Sequence, residues 1–418
     1  MALVFLGPAL LFLGALVIYP TLDTIGQSFR DDAGSFVGVN NYKDVAETPR
    51  IKTAIKNNFI WVATAPAIIT GLGLMFAILT ERVRYATAIK IIVFMPMAIS
   101  FLATGVIWRV MYEPSPELGF INAATGVVYN TFKGPGAYPE AKVLPDVPLE
   151  QAAPGAPIVA TQDFAAGDTA LLGLTAIAED DVPGEAVQAA APAAPADGLA
   201  VVVWRDFKPG GGVPGELEEG EIGLPGADVE VLGPGGEVVA SGTTGNDGSI
   251  TFAGLGEGPF KAQVAASTFS PGFTGVDWLG PSLVTPAIIG AFSWMWAGFA
   301  VVVIGAGLAA LPRDVLEAAR VDGANEWQTF RHVTLPLLAP VLGVVFVTMV
   351  INVLKIFDIV LVTAPGASQD EANVIALEMF KTTFSSRQYG VGSAVAVLLF
   401  ILVIPVMFIN IRRFRREN

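Results

Sequence analysis

Glu317-Ala318-Ala319-Arg320-Val321-Asp322-Gly323, followed after nine residues by Val333-Thr334-Leu335-Pro336, is the stretch on which the fold turns. It lies between two long apolar segments, so it reads as a polar loop held against one face of a membrane. Pro312 suits a first helical turn, and Asn325 with Gln328 three residues on gives the N-cap signature of a second helix. Two short helices broken at Gly323 are expected. Ala318 and Ala319 leave a shallow face that another protein can approach closely. Glu317 at its edge offers a carboxylate to a cationic partner.

Composition places the rest of the chain in a bilayer. It is 53% hydrophobic and 15% charged, with a mean hydropathy of +0.60, well above that of a soluble domain. Six apolar segments approach or exceed the roughly 20 residues a crossing needs: Ala2–Tyr19, Phe59–Leu79, Ile91–Ile107, Val284–Leu308, Ala339–Thr363 and Val391–Ile409. Of these only the fifth carries charge, at Lys355 and Asp358. The first lacks the basic start and small-x-small site of a signal peptide, so a retained helix is expected. The lack of a basic flank before it is what a trimmed or mis-called start would leave.

Basic residues set the orientation. Loops 80–90 and 311–338 with the tail 410–418 hold 10 Lys and Arg in 48 residues, against 12 in the 238 residues of the opposite segments. Both termini and the 311–338 loop are therefore expected in the cytoplasm, with Arg412-Arg413-Phe414-Arg415-Arg416 as an anchor. The expected location is the cytoplasmic membrane, crossed several times.

The net charge of −14 conceals two unlike parts. Residues 112–283 hold 23 acidic and 5 basic side chains, while the remainder is slightly basic. An acidic exported loop argues against nucleic acid as a partner. Without cysteine, neither disulfides nor thiolate metal sites can stabilise it, and the lone His332 excludes a His-rich metal site.

Within that loop, residues 113–199 read as an Ala/Pro-rich extracytoplasmic linker, typified by Ala190-Ala191-Pro192-Ala193-Ala194-Pro195. Val201–Trp204, Val229–Leu232, Glu237–Ala240 and Ser249–Phe252 are strand-like and separated by Gly-rich turns, so a small antiparallel sandwich is expected over 200–270. Asp206, Glu218 and Glu221 offer oxygens of the kind calcium takes, but Lys208 stands where another ligand is expected. A solvated acidic loop is the simpler reading, and both stay open.

The loop motif resembles the coupling loop of binding-protein-dependent ABC importers, Glu-Ala-Ala, three residues, Gly, nine residues, Ile-x-Leu-Pro, with Val333 in place of Ile. Phe36–Tyr42, Phe94–Ser100 and Ile351–Asp358 extend the likeness to permease subunits of sugar importers, and among them to alpha-glucoside permeases. Trp204-Arg205-Asp206 and Gly220–Ala227 resemble transthyretin-like repeats of bacterial surface proteins, which are not part of the permease pattern. The resemblance implies a type I importer permease with about six transmembrane helices and an inserted all-β extracytoplasmic domain. Residues 1–112 would hold helices 1–3, and 280–418 helices 4–6 with the loop 311–338. Glu317, Ala318, Ala319, Asp322, Gly323, Leu335 and Pro336 would couple to a cytoplasmic ATPase dimer. A second permease subunit, an extracytoplasmic sugar-binding protein and the lipid bilayer complete the partners. This subunit would bind no cofactor, leaving ATP and Mg to the ATPase.

A sugar in mid-membrane needs aromatic faces for its C–H surfaces and polar groups for its hydroxyls. Phe292, Met295, Trp296 and Phe299 share one helical face by spacing, and Thr348, Asn352 and Lys355 another, with Ile351 beside them and Asp358 continuing the stripe. The family's sugar-facing positions match these residues. Helix packing competes for the aromatic stripe, and mutual neutralisation competes for Lys355 and Asp358. No Gly-x-x-x-x-Gly-Lys-Ser/Thr is present, so the subunit is expected to be a non-catalytic permease. A surface-anchored binding protein does not need six spans, and an ion-coupled transporter would need more intramembrane acids than Asp358. The sandwich is expected either to hold the sugar-binding protein near the mouth or to act as a spacer.

Overall fold

A computed structural model describes residues 2–81 and 83–414, with Arg415 and Arg416 of the expected anchor outside them. It divides into two units, residues 1–113 with 277–418 and residues 114–276. The first begins with α1 (Ala2–Leu13), which passes through a π-turn at Gly14–Ile18 into α2 (Tyr19–Gln27). After the short α3 (Asn40–Glu47) comes α4 (Pro49–Glu81), long enough at 33 residues to cross a bilayer and emerge. Its first turns carry Asn57 and Asn58, both buried.

The third expected span is not one straight helix. α5 (Ala86–Phe94) gives way to a 3₁₀ turn at Met95–Ala98 and then to α6 (Phe101–Met111), bent from it by 102°. Pro96 removes a helical N–H, Ile99 is extended, and the Ser100 hydroxyl caps the new helix by accepting from Ala103 N. Among the described residues, four helices are long and apolar enough to cross a membrane, and this pair would be a fifth as a bent span.

The second unit contains α7 (Phe120–Phe132) and two sheets. One has the order β1 (Leu149–Gln151), β2 (Ile158–Ala160), β9 (Lys261–Val264), β6 (Asp228–Leu232), β7 (Val238–Thr243). In the other, β4 (Leu199–Arg205) pairs with β3 (Thr169–Leu174), β5 (Ile222–Gly223) and β8 (Ser249–Phe252). The four strands read from the sequence are all present. Residues 113–199, however, do not form a linker: they supply α7 and β1–β3. Tyr138, Ile158, Leu172 and Leu174 share one buried core with Val201, Val203, Leu224, Val229 and Val264. The second sheet is mixed, because β3 runs parallel to β4. Parallel neighbours need a long crossover, and the Ala/Pro-rich stretch before Leu199 is part of it.

β4 alternates by strand geometry. Val201 and Val203 enter the main core, and Val202 and Trp204 pack with Ala189 on the other face. Burial pushes the Tyr138 phenol up to about 12, and its hydroxyl donates to Pro225 O at 2.7 Å. The acidic loop is stitched to its own backbone. Asp206 accepts from Gly215 N (2.7 Å), Glu218 from Val213 N (3.0 Å) and Glu221 from Glu218 N (2.8 Å), while Lys208 lies 3.3 Å from Glu218. Burial raises the carboxyls of Asp206 and Glu221, whereas the Val213 amide and Lys208 lower that of Glu218.

The first unit resumes with α8 (Val284–Ala309), whose span is 67% buried against 28% for α4, so the other helices gather around it. A Cβ on Gly73 of α4 would lie 2.4 Å from Ala300 Cβ, so the two backbones approach where only glycine fits. Next come α9 (Arg313–Val321), α10 (Glu326–Thr329) and α11 (Leu335–Leu354). The expected fifth span ends early: residues 355–357 leave the helix and α12 (Asp358–Thr363) starts anew. Asp358 therefore does not continue the α11 stripe. α13 (Ile375–Phe380) and α14 (Tyr389–Phe414) close the chain.

Asn57 Nδ2 donates to Glu371 O (2.6 Å) and Asn373 O (2.8 Å), and Asn58 Oδ1 accepts from Ile375 N (2.8 Å). Asn373 in turn donates to the buried Glu378, whose other oxygen lies 3.9 Å from Arg50 Nε. The start of α4 is thereby tied to the segment between α12 and α14. Replacing Leu172 with Ala should destabilise the β domain by about 2–5 kcal/mol, as much as Leu224→Ala, since both are fully buried. Hydrogen exchange on the intact protein checks this; a linker residue would show no such loss.

Candidate functional site

Two places in the first unit bring the singled-out residues together. The loop between α8 and α11 forms the two short helices read from the sequence. Pro312 is the N-cap of α9, and Asp322 and Gly323 follow its end. Gly323 has φ +84°, where a side chain is strained. Asn325 Oδ1 accepts from Gln328 N at 2.8 Å while Gln328 Oε1 accepts from Asn325 N at 2.9 Å, a reciprocal cap for α10. A π-turn at Phe330–Thr334 leads directly into α11, at whose start Leu335 and Pro336 stand.

Glu317, Ala318, Asp322 and Gly323 are exposed, and Ala319 is half-buried. Arg320 and Glu326 lie 3.5 Å apart and join the two helices across the turn. Sequence reasoning missed the apolar part of this surface. Val321 is 87% and Trp327 65% exposed, with Val315 close behind at 42%. Large apolar side chains beside an acid on a polar loop have the make-up of a protein-docking surface. The signal was in the motif itself, since Val321 lies inside it.

The second place is a cavity of about 250 Å³ lined by Phe101, Phe292, Asn352, Lys355, Ile356, Phe357, Asp358 and Ile359. The break after α11 creates it: the helix stops at Leu354, Lys355 caps it, and Phe357 takes a non-helical conformation. A cation at the C-terminus of a 20-residue helix is favoured by the helix dipole. Lys355 and Asp358 are both exposed in the isolated chain, and no ion pair joins the two. Asn352 donates to Thr348 O at 2.9 Å, one turn back, and Thr348 itself donates to Val344 O at 2.8 Å.

The aromatic stripe separates by role. Phe292 is buried, meets Trp61 edge-on at 5.5 Å and lines the cavity. Met295 is buried in packing, its sulfur 3.6 Å from the Thr104 hydroxyl. Trp296 sits between Phe292 (6.1 Å) and Phe299 (5.7 Å) but outside the cavity lining, as do Ile351 and Thr348. Trp296 Nε1 is buried with no hydrogen-bond partner. Phe101, Ile356 and Phe357 are lining residues that spacing alone did not single out, because they come from another helix and from the break.

Residues 250–416 match the family described as binding-protein-dependent transport system inner membrane component. An osmoprotective compounds uptake permease protein of Synechocystis sp. is 30% identical over 416 residues, covering 99% of each chain. This chain belongs to that permease family. An alpha-glucoside transport system permease protein of Rhizobium meliloti is 26% identical over 99% of this chain and 82% of its own length. A trehalose/maltose transport system permease protein of Thermococcus litoralis is 38% identical over 35% of this chain and 50% of its own. The crystal structure of a bacterial ABC transporter that imports alginate shares the fold, with a TM-score of 0.57 at 14% identity over 99% and 94% of the two chains. The chain is thus a non-catalytic membrane permease subunit of the ABC importer type, with ATP hydrolysis on a separate partner. The Synechocystis match covers 99% of both chains, so it takes in the second unit as well.

Removing the reciprocal cap by Asn325→Ala should cost α10 about 1 kcal/mol. The expected result is faster amide exchange over residues 324–334 with the exchange of α8 unchanged.

Proposed function

We propose that the chain is the permease for a small neutral glucoside, of the maltose, trehalose or sucrose kind, moved by alternating access. The cavity between Phe292, Asn352 and Lys355 carries this reading: it sets an aromatic face, an amide and a cation around one space at a helix break. Ring faces suit pyranose C–H surfaces, while amide and ammonium groups replace water at hydroxyls. The buried indole N–H of Trp296 offers a further donor nearby. At about 250 Å³ the space in one subunit is small for a disaccharide, so a second permease subunit completes it. The relatives named for alpha-glucosides and for trehalose and maltose support this substrate class. Osmoprotective solutes are the second reading, favoured by the full-length Synechocystis match.

Glu317, Ala318, Ala319, Asp322, Gly323, Leu335 and Pro336, with Val321 and Trp327, then form the surface that docks on the ATPase. α11 begins at that loop and ends at the cavity, so closure of the ATPase moves the cavity wall as one body. The loop and both termini lie in the cytoplasm on this reading, and the β domain faces the extracytoplasmic binding protein. A bacterial alginate ABC transporter of the same fold has been solved in complex with a pentasaccharide-bound periplasmic protein, which supports such a partner.

Ligand-stimulated ATPase activity of the assembled complex, screened over disaccharides and osmoprotective solutes, tests the substrate class. Stimulation by osmolytes alone would replace the glucoside assignment. Asn352→Ala and Lys355→Met should each raise the half-saturating sugar concentration about tenfold, the scale of one good hydrogen bond. Normal uptake in both would move the sugar path to another helix face. Gly323→Pro demands φ near −65° where the loop has +84°. It should abolish uptake and release the ATPase on purification, as Glu317→Ala should in weaker form; wild-type values for both would sink the docking assignment.

A further inference from the structure

Helix α7 has one face packed and one face uncovered, and we propose that the uncovered face lies in the interfacial layer of the bilayer, at the membrane face where α6 ends. On the packed face Asn122 and Gly126 are buried, and Tyr129 rests against Phe273 with ring centroids 5.5 Å apart. Phe120, Ala124, Val127, Val128 and Phe132 fall on the other face by their i, i+4, i+7, i+8, i+12 spacing. Four of them are large and open: Phe120 is 64%, Val127 70%, Val128 60% and Phe132 87% exposed. Leu118, just before the helix, adds another apolar side chain at 72%. Such a stripe does not face water without cost.

Chain connectivity says what covers it. Asn122 Nδ2 donates to Pro114 O (3.1 Å) and Val276 O (2.9 Å), and its Oδ1 accepts from Val276 N (2.9 Å). One buried amide thus binds α7 to both chain segments at which the second unit begins and ends. Pro114 is three residues past Met111, the last residue of α6, so it lies within about 10 Å of that helix end. A tether that short keeps the first turn of α7 from ranging far from the end of α6. No Asp, Glu, Lys or Arg occurs within Phe120–Phe132, and aromatic rings stand at both of its ends. A water-exposed docking site for a soluble partner is normally rimmed by polar groups, whereas here the flanking charges, Glu117 and Lys133, stand only beyond the two ends of the stripe. An uncharged stripe ending in aromatics suits the headgroup–acyl boundary.

The chain contains no cysteine, so single sites can be labelled. Val128→Cys and Phe132→Cys, each carrying an environment-sensitive fluorophore, are compared with Val238→Cys on the exposed edge of β7. The complete importer is reconstituted in phosphatidylethanolamine and phosphatidylglycerol vesicles with or without lipid spin-labelled near its headgroup. The expected result is blue-shifted emission at 128 and 132 with strong quenching by the labelled lipid, and neither effect at 238. Water-like emission at 128 and 132 would overturn the proposal. Blue-shifted emission without lipid quenching would also overturn it, by showing that another protein chain covers the stripe. Val127→Cys on the same stripe replaces any variant that fails to assemble.

Discussion

Backbone hydrogen bonding in an apolar medium is the constraint on which the rest of this structure depends. A chain crossing hydrocarbon must satisfy each N–H and C=O within its own helix, or lay the irregular backbone against protein or a cavity. The two breaks in the helical unit obey this. At Ser100 the side chain caps α6 as the chain turns by 102°, and at residues 355–357 the unwound backbone lines the cavity. Residues next to both breaks, Phe101 and Ile356, line one cavity with Phe292.

The central position of α8 follows from small residues. Gly73 lets α4 approach Ala300 so closely that no Cβ could intervene, and the side chains around that contact are excluded from lipid. The span Leu6–Gln27, by contrast, has no buried side chain in its apolar window among the described residues. α11 lies between these extremes and joins two surfaces. Its 20 residues make about 30 Å of rigid rod between the exposed loop at Leu335 and the cavity at Lys355.

Polar groups in this chain act mainly by binding backbone. Asn57, Asn58 and Asn373 tie the start of α4 to the segment that leads into α13, and Asn122 joins the two ends of the second unit. The acids at Asp206, Glu218 and Glu221 hold the Gly-rich loop of that domain through its own amides. None of these partnerships follows from spacing, because each joins residues far apart in the chain or pairs a side chain with a loop conformation that only the fold defines.

The sequence alone determined that the chain is a membrane protein, where its long apolar segments lie, and that a two-helix loop stands before Leu335. These are properties of local composition, of a glycine at positive φ and of a capping pair, which neighbouring residues decide among themselves. It also placed four strands of the β domain, as short strand-like runs between Gly-rich turns. Tertiary structure decided the rest. Ala/Pro-rich residues 113–199 joined the core because Leu172 and Leu174 meet a parallel partner that no local pattern announces. The fifth span stopped at Leu354, which detached Asp358 from the stripe and opened the cavity, though the apolar run continues through the site. Hydrophobicity measures where a residue can be buried; only the assembled helices fix which side of it meets a neighbour, a ligand or lipid.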